Sequence, residues 1–174
     1  MKRNLLLWQL AGLTFTAVFG TLFHFLYAWT DIIAFAPFCA VNESTWEHMK
    51  IMFFPMFFFA LIQYAFGGKE VDGFWCVKLI GTLIGVTLIP VFFYTYNGAF
   101  GTSPDWLNIL IFFLSSFLAY FVEYLLFKRE NACKLPSAVS LVILIAIAVL
   151  FILFTFIPPQ LPLFQDPLIR GYGL

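Results

Sequence analysis

The sequence predicts an all-α integral membrane protein, a bundle of about five transmembrane helices, and three features carry that reading. Apolar residues make up 63% of the chain and charged residues only 10%, whereas a soluble domain needs about a quarter of its residues charged to cover its surface. The 25 Phe and 5 Trp suit a bilayer, where large aromatics fill gaps between spans and mark the headgroup boundary. Long apolar stretches recur near the roughly 20 residues that cross a hydrocarbon core. Net charge is zero, so the basic footprint of a nucleic-acid-binding protein is missing. The expected partner is the lipid bilayer and the expected location a cell membrane, crossed several times.

One transmembrane domain, residues 1–174, accommodates the spans in order. The first covers about residues 5–27. Lys2 and Arg3 precede it as in a signal peptide, but the stretch is too long for an h-region and ends without an A-x-A-like cleavage site. It is read as a retained helix. Asp31 to Asn42 is apolar, broken by Pro37 and too short to cross; such interfacial or re-entrant backbone survives at membrane depth only under protein cover. The second span covers about 44–66 and stops at Gly67-Gly68, with Pro55 expected to kink it and free a carbonyl. The third, about 74–96, carries Gly81-x-x-x-Gly85 as a close-packing face. The fourth, about 104–127, opens with Ser103-Pro104-Asp105, read as a Ser cap, a first-turn Pro and an Asp on the helix dipole. The fifth, about 137–157, is almost purely aliphatic and ends at Pro158-Pro159.

The tail, 158–174, holds Leu161, Leu163, Phe164, Leu168, Ile169, Tyr172 and Leu174, too much apolar surface to lie free in water. It is expected to fold back as an extended strap. If the helices alternate, Lys2, Arg3, Lys69, Lys78, Lys128, Arg129 and Lys134 share one side, which places the N-terminus in the cytoplasm and the C-terminus outside. Cys39 then lies outside and Cys76 and Cys133 inside. All three cannot meet, and they are read as bystander thiols rather than a redox relay or metal site.

Ionisable residues inside a membrane are functional candidates because burying them is costly. The densest group is Asn42-Glu43-Ser44-Thr45-Trp46-Glu47-His48-Met49-Lys50, where the second span enters from outside. On a continuous helix Glu43 and Glu47 share a face, with Lys50 three residues further on the same side. His24 sits seven residues before Asp31, on the order of 10 Å from that helix end, and His48 lies roughly 6 Å into the antiparallel second span. The two imidazoles thus have similar depth. His24, Glu43, Glu47 and His48 suit zinc or another divalent metal, or a proton-transfer site in which Glu47, His48 and His24 do the chemistry. Lys50, Tyr94, Asn97 and, on the tail, Asp166 reach the same layer as ligand-binding candidates. The bland alternative is a capping box, Ser44-Thr45-Trp46-Glu47, with Glu47 satisfying backbone donors, Glu43 helping the dipole and each His packed by hydrogen bonds. At the other side Lys78 and Glu123 have matching depth, read as a structural salt bridge or two snorkelling side chains.

The run Asn42 to Lys50, followed by an aromatic, proline-kinked span, and the ending Pro162-Leu163-Phe164-Gln165-Asp166-Pro167 with Tyr172-Gly173 resemble a family of small multi-span bacterial membrane proteins of unknown function, found largely in Firmicutes. The resemblance covers the whole chain, implies no activity, and implies that the cluster and the tail form one site. Known membrane enzymes fit less well: H-E-x-x-H is absent, E-E-x-x-x-R is absent, and two His are too few for a three-His hydrolase. Three readings stand at this stage. The first is a membrane protein binding a metal or a small lipid-like ligand, with hydrolysis as its chemistry if it is an enzyme. The others are a small transporter or substrate-binding transport subunit, and a structural or immunity-type partner protein. Oligomeric state is not legible.

Overall fold

The computed structural model describes residues 4–129 and 132–174. Among these residues it is all-α, with five helices long and apolar enough to cross a membrane: α1 (Leu5–Thr30), α2 (Thr45–Ala65), α3 (Phe74–Phe100), α4 (Asp105–Phe127) and α5 (Ser137–Phe156). Successive helices are antiparallel. Phe59 of α2 meets Gly12 of α1, while Ile51 meets Gly20. Gly81 and Gly85 of α3 face Glu123 and Ala119 of α4 in turn. Helix α4 closes back on α1, with Tyr120 against Gly12 and Phe112 against Gly20. Helix α5 lies against α2 and α3, its Phe151 packed on Phe53 and Phe54.

Helix α1 is polar on the side that faces protein. Its buried residues are Leu5, Gln9, Gly12, Thr16 and Gly20, while Leu6, Leu7, Leu10 and Val18 are exposed. In lipid that inversion is stable, because tails solvate leucine as well as a core would and small residues let helices approach closely. Pro55 supplies part of the logic. It cannot bond the carbonyl four residues back, that of Ile51, and this oxygen would lie 3.2 Å from a Cβ at position 20. A side chain there would also overlap the Phe112 ring, so glycine is needed for α1 to pass.

Two expectations need correction at the helix ends. Pro104, not Ser103, is the N-cap of α4; the Ser103 hydroxyl donates instead to Asn108 Oδ1 at 2.7 Å. Cys76 and Cys133 are not bystander thiols but a disulfide, with Cα atoms 5.9 Å apart, tying the start of α3 to the approach to α5. Cys39 is free and buried. Burial pushes its thiol up to about 11, with Lys50 pulling the other way and Glu47 adding to the rise.

Near the end of the bundle bearing that disulfide, Lys78 and Glu123 are both buried and joined Nζ to Oε2 at 2.6 Å. Full burial rules out snorkelling. The opposite end is capped by chain. Residues 31–44 turn back over it through a 3-10 turn at Ile33–Phe35, and Ala40 N–H donates to Phe23 O at 3.0 Å. The tail crosses the same end, with Phe164 tilted against Trp46 at 4.7 Å between ring centroids and an isolated bridge from Gln165 to Tyr172.

Candidate metal centre

Three side chains converge under that cap. His24 comes from the last two turns of α1, His48 from the first turn of α2, and Glu43 from the turn just before α2. Their candidate ligand atoms all lie within 4.8 Å of one another. His24 Nε2 is 3.8 Å from Glu43 Oε1, and His48 Nε2 is 3.6 Å from Glu43 Oε2. The imidazole centroids are 5.2 Å apart, as the shared depth of the two histidines on antiparallel helices leads one to expect.

The local sequence dictates which carboxylate joins the histidines. Asn42 Oδ1 accepts from Ser44 N–H at 2.9 Å, an Asx turn that reverses the chain just before the helix. Helix α2 starts at Thr45 with Ser44 as N-cap, so Glu43 precedes the helix and does not share a face with Glu47. The turn sends Glu43 to the histidines, while Glu47 goes inward. The structure thus places Glu47 and Lys50, grouped with the histidines in the sequence, in a pairing of their own. Glu47 Oε2 pairs with Lys50 Nζ at 2.5 Å and accepts from Val41 N–H at 3.1 Å. Lys50 Nζ also donates to Ala36 O at 2.9 Å and Thr155 Oγ1 at 2.7 Å, so its three protons are used. Nor is the capping box reciprocal. Ser44 Oγ accepts from Glu47 N–H at 3.4 Å, but the Glu47 side chain serves Val41 and Lys50 rather than Ser44 N–H.

His48 Nδ1 lies 2.9 Å from Ser44 O. A carbonyl only accepts, so Nδ1 carries a proton in this contact, and Nε2 is the nitrogen turned toward Glu43. This is the outer hydrogen bond by which proteins orient a metal-binding imidazole. Asp166 plays the corresponding part for Glu43. Buried on the tail, its Oδ2 accepts from Glu43 N–H at 3.0 Å, and its Oδ1 accepts from Leu168 and Ile169 N–H at 2.7 and 3.2 Å. Asn42 Nδ2 donates to Gly173 O at 2.9 Å. The tail therefore grips both residues of the turn that presents the carboxylate.

Tyr94 and Asn97 stand elsewhere at this end. Tyr94 OH donates to Pro162 O at 3.3 Å, and Asn97 braces the α3–α4 connection by accepting from Ser103 N–H at 2.6 Å. Sequence reasoning overlooked Thr155. Its signal was available as the one hydroxyl in the apolar last turns of α5.

No curated protein and no solved structure matches the chain. Its five long apolar helices make the chain a multi-span membrane protein, and over residues 1–174 it belongs to DUF6512, a family of unknown function.

Proposed function

We propose that this protein binds a divalent transition-metal ion, zinc foremost, through His24, His48 and Glu43 at the extracytoplasmic end of the bundle. The spacing of the three side chains carries the reading. Gaps of 3.6 and 3.8 Å from the carboxylate to each imidazole are too long for hydrogen bonds. Ligand atoms around tetrahedral zinc, with bonds of about 2.0–2.2 Å, lie roughly 3.3–3.6 Å apart. The group is thus set at close to the edge length of a metal site rather than at contact. The two-nitrogen, one-oxygen donor set is one that zinc accepts.

Three protein ligands leave a fourth position for water or for an oxygen of a lipid-like ligand, the arrangement of a catalytic rather than a purely structural zinc site. Glu43 is exposed, so the group is reachable from outside the protein. Hydrolysis by a metal-activated water is the chemistry such a site supplies. The positive-inside distribution of Lys and Arg supports placing it outside.

Metal analysis of detergent-purified protein tests the reading. The wild type is expected to hold near-stoichiometric zinc, and His48→Ala to lose at least about tenfold in affinity, with loss also on acidification because imidazole must be deprotonated to ligate. Equal metal content in wild type, His24→Ala and His48→Ala would overturn it.

A further inference from the structure

The second cluster of ionisable groups, near the disulfide end, has a geometry that a simple brace does not need. Lys78 Nζ sits between the rings of Phe59, Phe74, Tyr120 and Phe127, at 6.0, 5.8, 5.5 and 5.7 Å from their centroids. Glu123 gives it one oxygen, Oε2. The other, Oε1, is buried with no hydrogen-bond partner among the described residues. A buried carboxylate oxygen left bare costs on the order of 1–3 kcal/mol or more. The side-chain amides of Gln9 and Gln63 are also buried and have no hydrogen-bond partner among the described residues. Gln9 lies one turn from Gly12 on α1 and Gln63 one turn from Phe59 on α2, both displaced toward the disulfide end.

The carboxyl is packed closely against α3: a Cβ on Gly81 would overlap it. We propose that Glu123 is an exchangeable proton site, reached by water from the disulfide end past Gln9 and Gln63. The proton arrives as hydronium, which departs as water. An O–H bond forms at Oε1, and Oε2 continues to accept from Lys78. The aromatic cage gives this step its logic: once the carboxylate is neutral, the ammonium keeps the faces of four rings, each an attractive partner for a desolvated cation. Tyr120, whose ring also faces the ammonium, has its OH held at 2.8 Å by Thr16 Oγ1, and Gly81 backs the carboxyl.

This site shares no residue with the His24–Glu43–His48 group, so either can fail without the other. Infrared spectroscopy of the protein in liposomes, titrated in H2O and in D2O, tests it. A protonated-carboxyl C=O band is expected to grow as pH falls, to shift in D2O, to vanish in Glu123→Gln and to persist in Glu47→Gln. Glu123→Asp, which keeps the carboxyl on a shorter stem, moves the band and guards against a Glu123→Gln that does not fold. A wild type without a titrating band, a band unchanged in both Glu123 variants, or one insensitive to D2O would overturn the proposal.

Discussion

Among the described residues are two buried lysine–glutamate pairs, and they are built in opposite ways. Glu47 and Lys50 lie three residues apart on one helix, and every remaining proton of the ammonium goes to a fixed acceptor, Ala36 O or Thr155 Oγ1. Lys78 and Glu123 come from different helices, and the lysine is surrounded by aromatic rings rather than by acceptors. The first pair is locked because its partners include backbone groups of the 31–44 segment. The second keeps one oxygen without a partner among the described residues. A buried ion pair therefore has no single meaning: its hydrogen-bond surroundings decide whether it is a rivet or a site whose charge can change.

Removing one partner from the rivet should give the largest effect. Lys50→Met leaves the Glu47 carboxylate buried and uncompensated, which costs about 3–5 kcal/mol, and thermal unfolding in detergent should register it. Replacing both members of the other pair, Lys78→Met with Glu123→Leu, should be near neutral or even stabilising, as apolar replacement of buried pairs often is. Equal losses in the two experiments would erase the distinction. Next in size is the disulfide. Cys76→Ser with Cys133→Ser should lower stability by about 2–4 kcal/mol, and alkylation before and after reduction should reveal two added thiols. That bond lies at the end which the lysines assign to the cytoplasm, where disulfides are rare. Alkylation in intact cells thus pits charge bias against cysteine chemistry.

Smaller effects sharpen the picture at the strapped end. Asp166→Asn keeps the side chain's shape but removes its charge behind Glu43, and zinc affinity should fall by about tenfold, the lower range for groups that support metal ligands. Zinc titration against a competing chelator measures this. The smallest change expected is Ser44→Ala, which removes an N-cap and should cost about 1 kcal/mol in the same unfolding assay, leaving the carbonyl that orients His48 in place.

Much of the helical framework was legible because lipid demands long uninterrupted apolar runs and marks their ends with Gly, Pro and charge. The common depth of His24 and His48 was legible for a related reason: helical rise converts sequence distance into height. The division of labour between Glu43 and Glu47 was not. Helical periodicity does not run through Asn42–Ser44, because an Asx turn there restarts the count. Thr155 escaped notice because its partners are 105 and 108 residues distant, and no local pattern encodes such a meeting. The bond between Cys76 and Cys133, 57 residues apart, was hidden in the same way.

The tail's grip on Asn42 and Glu43 has a consequence in time. Asp166 and Gly173 are synthesised after all five helices, whereas His24 and His48 are made early. Chains begin to fold from the N-terminal side as they are made, so the two histidines can be paired long before the turn bearing Glu43 is held in position. The finished arrangement must wait until the segment beyond α5 has settled on that turn. Binding at this group would then report that the tail has docked, and a chain stalled in its last helix would carry both imidazoles but lack the tail's hold on their carboxylate.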